Sequence, residues 1–253
     1  MGGRGSSVAS QVGSADFLPD IQWFIARGAP GADDGLVLAA KGGHNAEPHN
    51  QNDVGSFVVH WRGETLLADL GAMRYTRDNF RSGQRYQMFA NRSLGHNVPL
   101  VQGYEQVAGP GGANCVRWEV GADSDSFVLD LAGAYPPDAD VQTLERKLTL
   151  RRALPHGCVE LCDRARFQSG PGTFASVLIS LVPAVLIEPG RVLLSGERGR
   201  LLVHFDAELL DVTIETIGGV DLRGGPRDVT RVILNLRMAA LEPLIALEFF
   251  PLV

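Results

Sequence analysis

The second half of this chain is a succession of short apolar segments, and this pattern limits the possible folds more than any other feature of the sequence. The segments are rich in Val, Ile, Leu and Phe and are separated by Gly, Pro, Asp or Asn, as is typical of strands joined by turns. Amphipathic helical segments do not interrupt them. We therefore expect an all-β fold, a large antiparallel two-sheet β-sandwich. The predicted strands are 115–120, 126–131, 143–152, 159–167, 174–181, 192–194, 200–205, 211–217, 231–236 and 245–249.

The N-terminal part of the chain has a different composition. Residues 1–17 are rich in Gly and Ser and are predicted to form a disordered leader. Residues 18–35 contain enough apolar side chains to pack and are predicted to be a linker or a first strand. The chain as a whole is 45% hydrophobic, which is ample for a core, and residues 36–253 are predicted to form one β-sandwich domain.

The charge of the chain argues against one class of partner. The formal net charge is -6 and the isoelectric point is near 5.5. A general nucleic-acid binder needs an excess of clustered Lys and Arg, so we expect no nucleic-acid partner. The sequence also lacks an apolar run of the length that a membrane-spanning helix needs, so we expect no membrane span.

One stretch is basic despite the overall acidity. Residues 74–92 contain five arginines, and the planar guanidinium group suits carboxylates and sulfates. The stretch is therefore either an anion-binding surface or a solvated loop whose arginines pair with neighbouring acids.

Side chains that can do chemistry are concentrated between Lys41 and Gly71. A loop containing Gly and Pro runs into the predicted strand 54–61, a tight turn at Arg62 and Gly63, and the predicted strand 64–69. A dense group of proton-transfer and metal-ligand side chains at the mouth of a hairpin indicates a functional site. The polar residues of the loop are His44, Glu47, His49, Asn50, Gln51, Asn52 and Asp53.

Three ordered motifs in this region resemble the C-terminal domain of the heparinase II/III family of polysaccharide lyases. They read G-G-H-N-A-E-P-H-N-Q-N-D-V-G-S-F, L-L-A-D-L-G-A-M-R-Y-T and S-L-G-H-N-V-P-L-V-Q-G. The resemblance implies a β-sandwich that works with a helical (α/α) toroid on an acidic, uronate-containing polysaccharide of the heparin, heparan sulfate or alginate kind. It implies cleavage by β-elimination, with the toroid supplying a catalytic tyrosine.

The resemblance also implies roles for individual residues. His49 corresponds to the histidine that the sandwich contributes to catalysis, and a neutral imidazole that titrates near neutral pH suits proton abstraction. His44, Glu47, Tyr75 and Arg77 are expected to contact the substrate. The metal positions of the family fall on Gln51, Asp69 and His96, where a structural zinc ion would join the loop, the hairpin and the third motif.

This sequence departs from the family pattern at the metal site, because Gln51 stands where the family has a second histidine. An amide oxygen is a poor zinc ligand beside imidazole, so zinc binding is expected to be weakened. A direct hydrogen bond between Asp69 and His96 is the alternative way of holding the same elements together.

The residues that precede position 18 are too few and too polar for a toroid, so we expect the toroid to be missing from this chain and the isolated sandwich to be inactive as a lyase. The family association implies the periplasm or the cell envelope. Two alternatives remain open: a non-catalytic sandwich that binds acidic polysaccharide or acts as a scaffold, and a weaker one, metal-dependent hydrolysis at Asp69 and His96.

Overall fold

The computed structural model describes residues 13–32, 34–71, 73 and 84–253, and the described residues contain strands and short 3-10 turns but no α-helix. This confirms the predicted all-β class. The strands are β1 (Ala15–Leu18), β2 (Trp23–Arg27), β3 (Val37–Lys41), β4 (Phe57–Trp61), β5 (Glu64–Leu67), β6 (Pro99–Val101), β7 (Asn114–Val120), β8 (Ser124–Asp130), β9 (Val141–Arg151), β10 (Cys158–Phe167), β11 (Phe174–Ser180), β12 (Ala184–Glu188), β13 (Arg191–Ser195), β14 (Arg200–Phe205), β15 (Leu210–Leu222), β16 (Gly225–Leu236) and β17 (Leu244–Leu252).

The strands form an antiparallel β-sandwich in which three sets of hydrogen-bonded strands can be distinguished. The first sheet is a meander in the order β1-β2-β3-β4-β5. The second has eight strands in the order β12-β13-β14-β17-β10-β9-β8-β7, and the third has four in the order β15-β16-β11-β6. In the first sheet, β2, β3 and β4 each bury one face, as the alternating burial along them shows.

The main core lies between the first and second sheets. Phe24 of β2 stacks on Phe127 of β8 with ring centroids 5.2 Å apart, and Phe57 of β4 meets Phe249 of β17 edge-on at 5.8 Å. All four rings are buried. Such aromatic pairs add to the free energy gained from apolar burial and fix how the sheets face each other.

Strand β11 belongs to the third sheet and lies between two hydrophobic cores. All seven of its residues are buried. Phe174 and Leu178 belong to the main core, whereas Val177 and Ile179 pack in a second cluster with Leu70. The second cluster also includes Ala90, so it supports the segment that leads into the third sequence motif.

The start of the chain is more regular than predicted. β1 begins at Ala15, inside the stretch that was predicted to be a leader, and β1 and β2 pair in one sheet with β3. Residues 1–12 lie outside the described residues. The predicted two-residue turn is present, because Arg62 and Gly63 both have positive φ, 53° and 74°. In the described part of the chain, no helix is long and apolar enough to span a membrane.

Candidate functional site

The polar loop between β3 and β4 is held by backbone hydrogen bonds to distant segments. The Asn45 amide donates to the Gly111 carbonyl at 3.0 Å, and the Asn52 amide donates to the Asn91 carbonyl at 3.0 Å. At the end of the loop the Gly55 amide donates to the Lys41 carbonyl at 2.9 Å. The loop is therefore fixed against the residues just before the third motif and against the segment before β7, although it has no regular secondary structure of its own.

His49 is an exposed side chain on a left-handed backbone, with φ of 59°. Histidine is one of the few residues besides glycine that adopt this region with any frequency, and such backbone conformations persist only where neighbours enforce them. The next residue, Asn50, supplies that enforcement. Tyr86 donates its hydroxyl hydrogen to Asn50 Oδ1 at 2.8 Å, and Arg85 donates to the Asn50 carbonyl. His49 therefore lies at the surface, next to a residue that Tyr86 and Arg85 hold by hydrogen bonds.

The other predicted substrate contacts are less tightly placed. His44 is exposed, and its Nδ1 accepts a hydrogen bond from the Ala46 amide at 3.2 Å. The Glu47 carboxylate lies against Gly43, in space that a Cβ at that position would fill. Tyr75 and Arg77 lie outside the described residues.

The structure brings Asp69 and His96 together, as the resemblance implied. His96 is fully buried, and its Nδ1 lies 3.0 Å from Asp69 Oδ2 while its Nε2 lies 3.2 Å from the Ala90 carbonyl oxygen. Asp69 follows β5 and was expected inside that strand. Its carboxylate also accepts hydrogen bonds from Ser56 Oγ at 3.2 Å and from the Gly71 amide at 2.9 Å.

Two further charged residues complete this cluster. Asp53, Asp69 and His96 each offer one potential metal-ligand atom, and these three atoms all lie within 4.8 Å of one another. The Lys41 ammonium binds Asp53 Oδ1 at 2.9 Å, with both side chains largely buried. We call these four residues, Lys41, Asp53, Asp69 and His96, the ion cluster.

Gln51 lies at the border of the ion cluster. Its Nε2 donates to the Gly71 carbonyl at 2.7 Å and approaches Asn91 Oδ1 at 3.4 Å. Gly71 donates its amide hydrogen to Asp69, and Asn91 follows Ala90, whose carbonyl oxygen faces His96. The Gln51 side chain donates its amide hydrogens to a backbone carbonyl and to an asparagine oxygen.

The charges in the cluster shift the pKa values of its members. Burial by itself would raise the pKa of Asp69, but the charge of His96 and the hydrogen bond from it outweigh burial and lower that pKa to about 2. Burial would lower the pKa of His96, but Asp69 raises it above its usual 6.5. The pKa of Asp53 is raised above 3.8 because burial outweighs the attraction of His96 and Lys41.

These shifts predict how stability depends on pH. The Asp69 contribution is present above the ordinary pKa of 3.8 and is lost as the pH falls towards about 2, whereas the His96 contribution is present below 6.5 and is lost as the pH rises through the raised pKa. The difference between 3.8 and about 2 for Asp69 corresponds to on the order of 2 kcal/mol. Asp53 acts in the opposite direction to Asp69, since its pKa is raised.

Denaturant unfolding of the wild type and of Asp69→Asn across this range isolates the pair. The stability difference between the two proteins should be largest in mildly acidic solution, shrink by on the order of 2 kcal/mol as the pH falls below the usual aspartate range, and shrink again as the pH rises through the raised pKa of His96. Two parallel profiles would show that the pair does not contribute in this way.

Two shallow cavities flank the site. One, of about 260 Å³, opens on the outer face of the first sheet between the exposed Trp23 and the ion cluster residues Lys41, Asp53 and Asp69. The other, of about 250 Å³, is lined by Tyr86 and by the ion pair of Arg92 with Glu105. Tyr86 also donates a hydrogen bond to Asn50, the residue after His49, so the second cavity lies beside the loop that carries His49.

Sequence reasoning missed two buried amides that organise the site. Gln106 accepts from the Val54 amide at 3.0 Å and donates to the Val54 carbonyl at 2.7 Å, so it fixes the end of the polar loop. Asn97 donates to the Phe57 carbonyl at 2.6 Å and accepts from the Ile179 amide at 2.6 Å, so it joins β4 to β11. Both lie within or next to the third motif, but their partners are far away in sequence.

A third missed residue is Arg146. Together with Leu144, Leu148 and Leu150 it occupies one face of β9, and all four side chains are fully buried. Its guanidinium makes a bidentate pair with Asp163 at 2.8 and 2.7 Å. The period of two in L-x-R-x-L-x-L was the available signal, because it places the arginine on the apolar face.

Comparison with solved structures gives clear matches to the fold. Heparan sulfate lyase HepC from Pedobacter heparinus matches with a TM-score of 0.75 at 16% sequence identity, over 94% of this chain and 36% of that chain. The heparinase III BT4657 gene product matches with a TM-score of 0.76 at 13% identity, over the same shares of the two chains, 94% and 36%. This chain therefore spans about a third of the length of the proteins it matches.

No protein-family model matches the sequence, and no curated protein matches it significantly. At these levels of identity a structural match shows the fold. The chain therefore has the heparinase II/III-like β-sandwich fold that HepC and heparinase III contain.

Proposed function

We propose that this chain is the sandwich part of a polysaccharide lyase that cleaves uronate-containing polysaccharides by β-elimination, in company with a helical toroid domain or subunit. The observation that carries the proposal is the combination of the lyase-like fold over 94% of the chain with His49, an exposed imidazole held on a strained and clamped backbone. One fold serves many activities, so the site matters as much as the fold.

The proposed chemistry follows from the acidity of the uronate. Once the carboxylate charge is neutralised, a base removes the proton from C5, the C5–H electron pair forms a double bond between C4 and C5, and the C4–O4 bond breaks. The departing O4 takes a proton from an acid. In this scheme His49 is the imidazole that the sandwich brings to the reacting sugar, and the toroid brings the tyrosine. His44, Glu47, Tyr75 and Arg77 contact the polymer on either side.

The test is product formation by the assembled enzyme. The chain is expressed together with the coding sequence that precedes Met1 in its genome, or mixed with a separately encoded helical partner, and is given heparan sulfate, heparin and alginate in turn. A 4,5-unsaturated uronate product, detected by its ultraviolet absorbance, is the expected result with one of these polymers. Absence of this absorbance with all of them, from a folded complex, would refute the lyase proposal.

A non-catalytic role is the second candidate. The match to HepC and heparinase III shows the fold, and one fold serves both catalytic and non-catalytic roles. A sandwich that only binds acidic polysaccharide would show salt-sensitive binding to heparin or alginate. It would show no turnover even in the presence of a helical partner.

We also propose the periplasm or cell envelope as the location, because extracellular acidic polysaccharides are met there. Fractionation of cells that express the native gene, followed by immunodetection of the chain, tests this directly. Recovery with the cytoplasmic fraction would contradict it.

A further inference from the structure

We propose that the ion cluster joins the polar loop, the end of β5 and the third motif without a metal ion, with the Lys41 ammonium supplying the positive charge that zinc would supply in the family pattern. This inference goes beyond the proposed function, because it concerns how the site is held together and stands whether or not the chain belongs to a lyase. It rests on the contacts of the four residues and of Gln51.

The position of Lys41 is the first observation. Its Nζ lies 2.9 Å from Asp53 Oδ1, and the two side chains are only 19% and 9% exposed. A largely buried carboxylate needs a partner of opposite charge, and here the ammonium provides it. A divalent cation bound to Asp53 and Asp69 would have to share this space with a second positive charge, or Lys41 would have to leave.

The contacts of His96 are the second observation. One ring nitrogen faces the Asp69 carboxylate at 3.0 Å, and the other faces the Ala90 carbonyl oxygen at 3.2 Å. Both partners are acceptors, so the arrangement uses both ring nitrogens as donors. A zinc ligand must instead offer a nitrogen lone pair to the ion. His96 could coordinate zinc only by giving up one of these two hydrogen bonds.

Gln51 is the third observation. Its amide nitrogen is committed to the Gly71 carbonyl at 2.7 Å and lies 3.4 Å from Asn91 Oδ1. These bonds tie the loop to the residues just after Asp69, which is the connection that a shared metal ligand would otherwise make. Glutamine is also a weaker zinc ligand than histidine. The amide therefore takes over the joining role by hydrogen bonds to the backbone.

The balance of charge agrees with these contacts. Two carboxylates, Asp53 and Asp69, face the Lys41 ammonium and the His96 ring, and Asp69 receives two more hydrogen bonds from Ser56 and Gly71. Every group in the cluster that could bind a metal thus already has a partner within the protein. A dication added to the same set would leave an excess of positive charge in a largely buried place.

The experiment measures metal content and zinc affinity in the full chain. Wild-type protein is purified, dialysed against buffer with zinc and then against metal-free buffer, and analysed for bound zinc, and its thermal unfolding is recorded with and without EDTA. We expect well below one zinc ion per chain and a Tm that EDTA does not change. Stoichiometric zinc, or a Tm that EDTA lowers, would overturn the proposal.

A gain of zinc binding sharpens the test. Gln51→His restores the third strong ligand, and Lys41→Gln in the same chain removes the competing charge. The double variant should bind zinc about 10- to 100-fold more tightly than Gln51→His alone, a range typical of groups that border metal ligands. Competition with a chromogenic chelator measures the affinities. Gln142→His, on exposed β9 surface, is the control and should bind no more zinc than the wild type.

Comparing the Gln51→His variant with the double variant tests the role of Lys41 directly. If Lys41 plays no part, Lys41→Gln will leave the zinc affinity of Gln51→His unchanged, which contradicts the proposal even if every protein folds. The wild-type measurement requires no substitution, so a variant that fails to fold cannot obscure the result. None of these measurements depends on lyase activity, and failure of the proposed function would be seen separately in the product assay.

Discussion

Replacing Arg146 with methionine is expected to destabilise the fold by about 3–5 kcal/mol, the range observed when one member of a buried ion pair is removed. Asp163, fully buried, would keep only the hydrogen bond from Ser176 Oγ at 3.0 Å. The Arg146 guanidinium also donates to the Gly55 carbonyl at 2.7 Å and the Asn97 carbonyl at 2.6 Å. The substitution therefore leaves three separate segments with unpaired buried polar groups.

Chemical denaturation of both proteins measures this effect, and the same strand offers a matched control. Arg151 lies on the outer face of β9 and pairs with Glu160 at 2.7 Å, with its own side chain 56% exposed. Arg151→Met should cost less than about 1 kcal/mol, because solvent screens an exposed pair. Equal effects of the two substitutions would mean that burial of the Arg146 pair is not what makes it important.

A double variant separates the pair from its other contacts. Replacing Arg146 and Asp163 together with apolar residues removes the uncompensated charge, and similar replacements in other proteins are often neutral. Here the double variant should regain only part of the lost stability, because the Gly55 and Asn97 carbonyls still lose their donor. Full recovery would show that these two carbonyls find other partners.

Substituting His49 with alanine in the assembled lyase is expected to lower kcat by about 10²–10⁴-fold, the usual contribution of a positioned general acid or base. KM should change much less, because the neighbouring loop residues still contact the polymer. The backbone at His49, with φ of 59°, is followed by Asn50, which Tyr86 holds by a hydrogen bond at 2.8 Å. The substitution should therefore leave the loop in place.

Steady-state kinetics on the polymer that gives the unsaturated product, together with a thermal unfolding curve, measure this effect. His204→Ala is the control, since His204 lies on β14 and pairs at the surface with Glu248 at 2.9 Å. It should leave kcat unchanged. If His49→Ala raises KM but preserves kcat, His49 binds substrate without taking part in proton transfer.

Local signals in the sequence predicted much of the fold. The alternation of apolar residues located most of the strands of the second half, including β14 at the bounds that the structure has. It missed β12, whose apolar residues are mostly exposed on a sheet edge. It also ended the hairpin of β15 and β16 too early, because the Gly and charged residues near its tip resemble a loop, whereas pairing with a long partner keeps them in register.

The candidate site was predictable in its residue types and in one of its contacts. The motifs located the polar loop, and the pairing of Asp69 with His96 is present at 3.0 Å. The roles of Lys41 and Gln106 could not be read from the motifs, because a lysine at a strand end and a glutamine in a loop are usually solvated. Both act on atoms more than ten residues away, Asp53 for Lys41 and Val54 for Gln106.

The sequence by itself determined the local conformations of this protein: alternating strands, the turn at Arg62 and Gly63, and a loop rich in proton-transfer groups. These follow from steric and hydrogen-bonding preferences that act over a few residues. The tertiary structure decided which charges meet. Arg146 reaches Gly55 across 91 positions of sequence, and His96 reaches Asp69 across 27. Such pairs form only when the sheets pack in one particular way. A buried charge is stable only where the same packing places an oppositely charged or hydrogen-bonding partner beside it.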